Sequence, residues 1–284
     1  MVSKVAIVDL DEESANWFEP ALRLIGGIDD LKNIGRSVVV KVGVFSHKAA
    51  NHTSVDVVNA IVNSFGEAPR ILVAESDNYR GKGLERLQIW KKLFDERVTP
   101  FNLSDDTETR NVRIAGQEMK LSHVLFKPNV FVSTHILRSF ERGSILKNLF
   151  GCVSDPKKAK YHSVLPQLLA DIYEAIGGID LAVLDGTHFW QGAGRGRVRM
   201  NTLLVGRDAV AVETVGAALA GLNADKMPVI REFVKRSLGE GDLKKIEIVG
   251  ASFESVKNRF ALARRTKTNR RRIPREATGR ALCA

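Results

Sequence analysis

A chain of 284 residues with 44% hydrophobic and 27% charged residues is long enough for one large α/β domain or two intimately packed lobes, and one domain is the simpler reading. Its two cysteines, Cys152 and Cys283, have no second thiol near either, which excludes a disulfide framework and a Cys-rich metal or iron–sulfur cluster and points to a reducing, cytoplasmic location. The net charge of +10 is not spread evenly: residues 257–284 hold ten bases against the single acid Glu276, leaving residues 1–256 with 33 bases and 32 acids.

The N-terminal apolar run over residues 5–10 is short and closed by Asp9, Asp11, Glu12 and Glu13, unlike a secretory segment or a span. Residues 5–9, 37–43, 70–74, 130–134, 179–184, 202–205 and 246–249 are β-rich runs of buried-strand length and predict the sheet. After the second of these, Val58, Ile61, Val62 and Phe65 recur at helical spacing, with Thr53 or Ser54 placed to cap the start and Gly66 to end it. Val112, Ile114, Met119 and Leu121 alternate around Gly116 and predict a hairpin. Leu165, Leu168, Leu169, Ile172 and Ile176 predict a second helix, stopped by Gly177-Gly178. The apolar stretch 209–222 is interrupted by Glu213 and falls short of bilayer thickness, so a soluble protein with no membrane partner is expected. The alternation of strand and helix predicts an α/β fold, a mostly parallel sheet with helices on both faces and a small inserted hairpin. A single α/β domain over residues 1–256 is expected, followed by a basic C-terminal tail over 257–284.

Ionisable and turn-forming residues concentrate between positions 132 and 162, where Thr134-His135, Lys147-Asn148, Gly151 and His162 lie close in sequence. Asp185-Gly186 closes the run 179–184, and in open α/β sheets ligands gather beyond the carboxyl ends of strands. If the 130–134 and 179–184 strands are parallel, His135 and Asp185 reach the same sheet edge. The loop Gln191-Gly192-Ala193-Gly194-Arg195-Gly196-Arg197 reads either as an anion-binding loop or as a surface turn with solvated arginines; it matches neither the Walker nor the dinucleotide pattern. Six histidines stand at 47, 52, 123, 135, 162 and 188, none in the His-Glu-x-x-His spacing of a zinc hydrolase. His135 and His162 are the general acid/base candidates; either alone is more often a hydrogen-bonded structural side chain, and their shared sequence neighbourhood is what favours the chemical reading. Asp208 is explained by helix capping. Glu213 sits among Val210, Val212 and Val215, and a buried carboxylate there requires a cation, a metal or a donor network, with Lys147 and His135 as candidate partners.

Thr134-His135, then Lys147-Asn148-Leu149-Phe150-Gly151, His162, Asp185-Gly186, Gln191-Gly192 with Gly194, and Asp208 with Ala211 and Glu213 together resemble the family called domain of unknown function 362. Val40-Lys41 followed by Thr53-Ser54 resembles that family's opening, and Gly250 its close, so that the likeness covers most of residues 36–250. The chain departs from the usual family pattern with Ser133 in place of lysine, Gln191 in place of glutamate, Val42-Gly43 in place of Pro-Asn and Glu213 in place of aspartate. The resemblance implies no mechanism that needs those side chains. Many members carry an appended ferredoxin-like cluster domain; the cysteines for one are missing here, so no iron–sulfur cluster and no direct electron-transfer role are expected.

Two function classes follow. One is an enzyme acting on a small anionic substrate, with or without a divalent metal. In it His135, Lys147, His162 and Asp185 are catalytic, and Asn148, Gln191, Gly192, Gly194, Arg195 and Glu213 bind substrate. The other is a scaffold that holds nucleic acid through residues 257–284, whose arginines are suited to RNA, DNA or an acidic lipid surface; the plain alternative for this tail is a solvated terminus. Convergence of the four catalytic candidates on one cavity favours the first.

Overall fold

The computed structural model describes residues 2–10, 17–32, 35–46, 51–191 and 197–265. In chain order these form β1 (Lys4–Asp9), α1 (Phe18–Leu24), β2 (Val38–Val42), a small two-stranded ladder of β3 (Val44–Ser46) and β4 (Asn51–His52), α2 (Val55–Ser64), β5 (Ile71–Glu75), α3 (Gly83–Leu87) and β6 (Val98–Asn102). A hairpin of β7 (Thr109–Ile114) and β8 (Gln117–Ser122) precedes β9 (Val130–Arg138), α4 (Ile145–Asn148), α5 (Leu165–Ile176), β10 (Leu181–Trp190) and β11 (Arg197–Gly206). The described chain ends with α6 (Ala209–Leu219), α7 (Pro228–Lys235), β12 (Glu247–Gly250) and α8 (Phe253–Arg265). Among the described residues no helix is long and apolar enough to cross a membrane.

One eight-stranded sheet runs β12-β1-β11-β10-β9-β2-β5-β6. Only β11 opposes the rest, pairing antiparallel with both β1 and β10, so the sheet is mostly parallel as the alternation predicts. Strand residues alternate between two apolar layers. Val38, Val40, Val130, Val132, Leu181 and Val183 join the layer under α1 and α2, whereas Val39, Phe131, Ala182 and Leu184 join the layer under α5 and α6. The amphipathic α5 presents Leu165, Leu168, Leu169, Ile172 and Ile176 to its layer and ends on Gly177, whose φ of +80° suits a residue without a Cβ.

β9 and β10 run several residues past the predicted strand ends, so His135 lies inside a strand and Asp185-Gly186 does not terminate one. The compositional boundary drawn at residue 256 falls within α8. Phe260 is fully buried, its ring 5.2 Å from that of Phe189, while Val256 is also enclosed and Arg264 Nη1 donates to the Leu219 carbonyl at 2.7 Å. The packed body therefore extends at least to Arg265, with Leu262 on the exposed side of the helix. Residues 266–284, which carry most of the predicted tail and Cys283, lie outside the described residues.

Candidate functional site

The chain leaves β2 through α2 on one face of the sheet toward β5, and leaves β9 through α4 and α5 on the other face toward β10. Between β2 and β9 the winding therefore reverses, and the carboxyl ends of adjacent parallel strands open a crevice at such a point. A cleft lies there, lined by Val44 after β2, Glu75 at the end of β5, His135 and Arg138 of β9, and Lys147, Asn148 and Gly151 of the α4 segment. Arg86, Lys158 and His162 complete its polar wall, with Phe45, Tyr79 and Phe150 among its aromatic residues.

The floor is a saturated ion network. Lys41, fully buried on the same face of β2 as Val39, donates to Glu75 Oε2 at 3.0 Å, Asn148 Oδ1 at 3.1 Å and the Val42 carbonyl at 2.9 Å. Asn148 Nδ2 faces the Lys41 carbonyl at 2.8 Å, the Thr134 carbonyl at 3.1 Å and Ser133 Oγ at 3.2 Å, binding β2 to β9 where the sheet has to part. Burial pushes the Glu75 carboxyl upward, but Lys41, Arg86 and Lys158 together outweigh it and hold the group below its ordinary value. The backbone of Gly151 closes over this pair so tightly that a Cβ there would sit 2.6 Å from Glu75 Oε1 and Lys41 Nζ. Lys158 reaches in from the 3-10 segment before α5, donating to Ser76 Oγ and the Val153 carbonyl, both at 2.6 Å. Arg86 Nη1 donates to the Val44 carbonyl at 2.5 Å and its Nη2 to that of Ser76, while Nε has no partner among the described residues.

Lys147 differs from the other two lysines. It is partly buried, its Nζ stands 5.0 Å from the centre of the Phe150 ring, and among the described residues it makes no hydrogen bond or ion pair. Burial, with the Arg138, Arg142 and Lys158 charges, brings its amine down to about 7. Lys158, better supplied with acceptors and with Glu75, is brought by burial and by Lys41 and Arg86 to about 8. His135 is buried, and a Cβ on Gly43 would overlap its ring. Its Nδ1 lies 3.0 Å from the Ile136 carbonyl, which can only accept, so Nδ1 carries the proton and Nε2 keeps its lone pair. Burial first, then Arg138, holds this imidazole well below its ordinary value and hence neutral at pH 7. Burial, Lys147 and Arg142 also lower His162, whose ring lies 5.3 Å from Phe150.

Of the four catalytic candidates, His135, Lys147 and His162 meet in this cleft, and Asn148 joins them. Asp185 does not line it. The parallel register sets His135 beside Leu184, and neighbours in register share a face, so Asp185, one residue further on, points through the opposite face. There its carboxylate accepts from Ser54 N–H at 2.6 Å, and from Thr187 N–H at 2.9 Å and Oγ1 at 2.6 Å, which fixes the start of α2. Glu213 is buried as expected, but its partners are backbone groups. The Ser144 N–H lies 2.8 and 2.9 Å from its two oxygens and the Leu146 N–H 2.9 Å from Oε2, so Glu213 caps α4 from behind rather than facing the cleft. Gln191 turns away too, its Nε2 donating to the Ala263 carbonyl of α8 at 3.2 Å. Gly192, Gly194, Arg195 and His47 lie outside the described residues. Among the described residues no group of three or more His, Cys, Asp or Glu side chains is arranged to hold a metal ion. Of the tail's arginines, Arg259 is engaged with Asp9 and with Thr202 Oγ1, and Arg264 with Leu219, which docks α8.

Sequence reasoning missed Glu75, Arg86, Arg138 and Lys158, and gave Lys41 no chemical role. Lys41 had a signal of its own, a single charge inside the fully buried run Val38–Val42. Arg86 and Lys158 had none, since only the tertiary fold brings them to Glu75.

The family model described as Domain of unknown function (DUF362) matches residues 38–218, from β2 to the end of α6. The chain belongs to this family. The span matched by DUF362 holds every cleft residue named above and omits β1, β12 and α8, which extend and brace the far side of the sheet. No curated protein matches the chain.

Proposed function

We propose that this DUF362 protein is an enzyme that acts on a small anionic substrate held in the cleft at the β2–β9 reversal. One observation carries the reading: Arg86, Arg138, Lys147 and Lys158 line the cleft, against a single carboxylate among the described lining residues, Glu75, which the buried Lys41 already engages. Uncompensated charge in a shielded crevice is costly unless an anion supplies the missing partner. Lys147 and Lys158 would neutralise that anion and Arg138 would orient it. Nε2 of His135 and the ring of His162 would accept or return a proton, both being neutral at pH 7.

Calorimetric titration with inorganic phosphate and with small carboxylates, in two buffers of different ionisation enthalpy near pH 8, tests the reading. An anion beside Lys147 favours its ammonium form and raises its pKa above about 7, so binding at that pH takes up protons from the buffer. Lys147→Met should weaken binding by about tenfold or more and remove the larger share of the proton uptake, while Lys158→Met weakens binding and removes the smaller share, because Lys158, at about 8, is already half-protonated at that pH. Absence of binding by every small anion tried, or affinity unchanged in both variants, overturns it.

A further inference from the structure

We propose that Lys147 is the enzyme's nucleophile, its amine condensing with the carbonyl carbon of an anionic substrate of the 2-oxo-acid class to form an imine. The inference rests on the anion-binding reading above and adds the reactive group of the substrate to it.

The argument begins from how the three lysines around Glu75 are used. Lys41 spends its ammonium on Glu75, Asn148 and the Val42 carbonyl, and Lys158 is held by Ser76 and Val153; both are struts. Lys147 alone of the three projects into the cleft with no hydrogen-bond acceptor among the described residues, over the hydrocarbon face of Phe150. The groups that face it are His135 and Arg138 of β9, Arg142 of the following loop, Lys158 and His162 of the 3-10 segment, and Glu75 at the end of β5. All but the two histidines and Glu75 are cations, and Glu75 is committed to Lys41. An amine surrounded in this way sheds its proton readily, and a lysine made neutral by desolvation and neighbouring cations is the form that attacks carbonyls. The same cations that suppress its ammonium would bind a carboxylate adjacent to the reacting carbon.

The step balances without a redox partner. The Nζ lone pair adds to the carbonyl carbon and the carbonyl π electrons pass to oxygen, which takes a proton. Nitrogen then loses one proton, the hydroxyl takes a second and departs as water, and the nitrogen lone pair forms the C=N bond of a protonated imine. Nε2 of His135 and the ring of His162 line the same cleft and can carry these protons.

The test is reductive trapping. The full chain is incubated with pyruvate, and in parallel with glyoxylate, in the presence of cyanoborohydride, and the adduct is located by peptide mass mapping. The expected result is modification concentrated on Lys147. At low substrate concentration, where the free protein's protonation governs the rate, its pH profile should rise through about 7 rather than through the range of solvated lysines. Inorganic phosphate should protect against it. Lys147→Arg keeps the charge and lacks the nucleophile, and should reduce adduct in that peptide at least about tenfold while phosphate still binds. Adduct spread evenly over surface lysines, or none on Lys147 in the wild-type chain, overturns the proposal whatever the fate of the variant. If phosphate binds and Lys147 is not trapped, the imine step alone fails; if phosphate does not bind either, the anion-binding reading fails with it.

Discussion

Two fully enclosed glutamates, one in the cleft floor and one behind α4, share a side chain and a degree of burial yet are driven in opposite directions. Burial raises both. At Glu75 three cations reverse the effect and the carboxyl falls below its ordinary value of 4.5. At Glu213 the donors are chiefly the N–H groups of Leu146 and Ser144, with Arg138 contributing less, and the carboxyl stays raised. Formal charges offset the desolvation of a carboxylate where a few backbone dipoles do not. The floor is therefore built from charges that need one another, and the support behind it from hydrogen bonds that hold a four-residue helix in place.

The largest effect is expected at the floor. Glu75→Gln leaves Lys41, Arg86 and Lys158 without a counter-charge, and breaking a buried pair in this way costs about 3–5 kcal/mol. Urea denaturation should show that loss, and added phosphate should restore part of it by supplying the missing negative charge. A variant as stable as wild type would mean that the cations are solvated, and the contrast between the two glutamates would collapse.

The second loss is expected behind α4. The residue type at 213 invites the expectation that Leu would be tolerated or even stabilising, but the partners found there are main-chain groups that no side-chain substitution removes. Glu213→Leu strands the Ser144 and Leu146 N–H groups at about 1–3 kcal/mol each, whereas Glu213→Gln retains one acceptor oxygen and costs less. The pH dependence sharpens the pair. Glu75, lowered in the folded state, contributes stability that is complete above 4.5 and disappears as pH falls through its folded value. Glu213, raised in the folded state, contributes most on the acid side and loses that contribution as pH rises from 4.5 through its folded value. Stability of Glu75→Gln should thus decline less on acidification than wild type, and stability of Glu213→Gln should decline more. Denaturation midpoints across the acid range decide it.

Much of this frame was legible in the sequence, and the physics explains which parts were not. Runs such as Val38–Val42 and Leu181–Leu184 are apolar on both faces, as strands of a covered parallel sheet must be, and the helical spacing in α2 and α5 was plain. β6 was not seen because it is an edge strand carrying Pro100 between Thr99 and Phe101, half-exposed and with no apolar run. Within the site, nearness in sequence marked His135, Lys147, Asn148 and His162, which one connection from β9 to α5 delivers together. Arg86 and Lys158 come from segments with no local mark, and only the reversal between β2 and β9 brings them to Glu75. The face of Asp185 was beyond reach too, because a shift of one residue in the β9–β10 register reverses it.

That last residue carries the mildest and most discriminating substitution. His135 and Asp185 lie at the same edge of adjacent parallel strands, separated by the sheet itself. If Asp185 served the cleft, Asp185→Asn would damage anion binding; on the geometry it should instead loosen the start of α2. Its carboxylate takes three donors from Ser54 and Thr187, and the amide retains only one acceptor oxygen among them. The loss of one charge-assisted bond at a helix start corresponds to about 1–2 kcal/mol. Hydrogen exchange should localise the loss to the first turn of α2, with phosphate affinity of the folded protein unchanged. Affinity that falls together with stability would couple the two faces through Thr134 and His135, and would return Asp185 to the site.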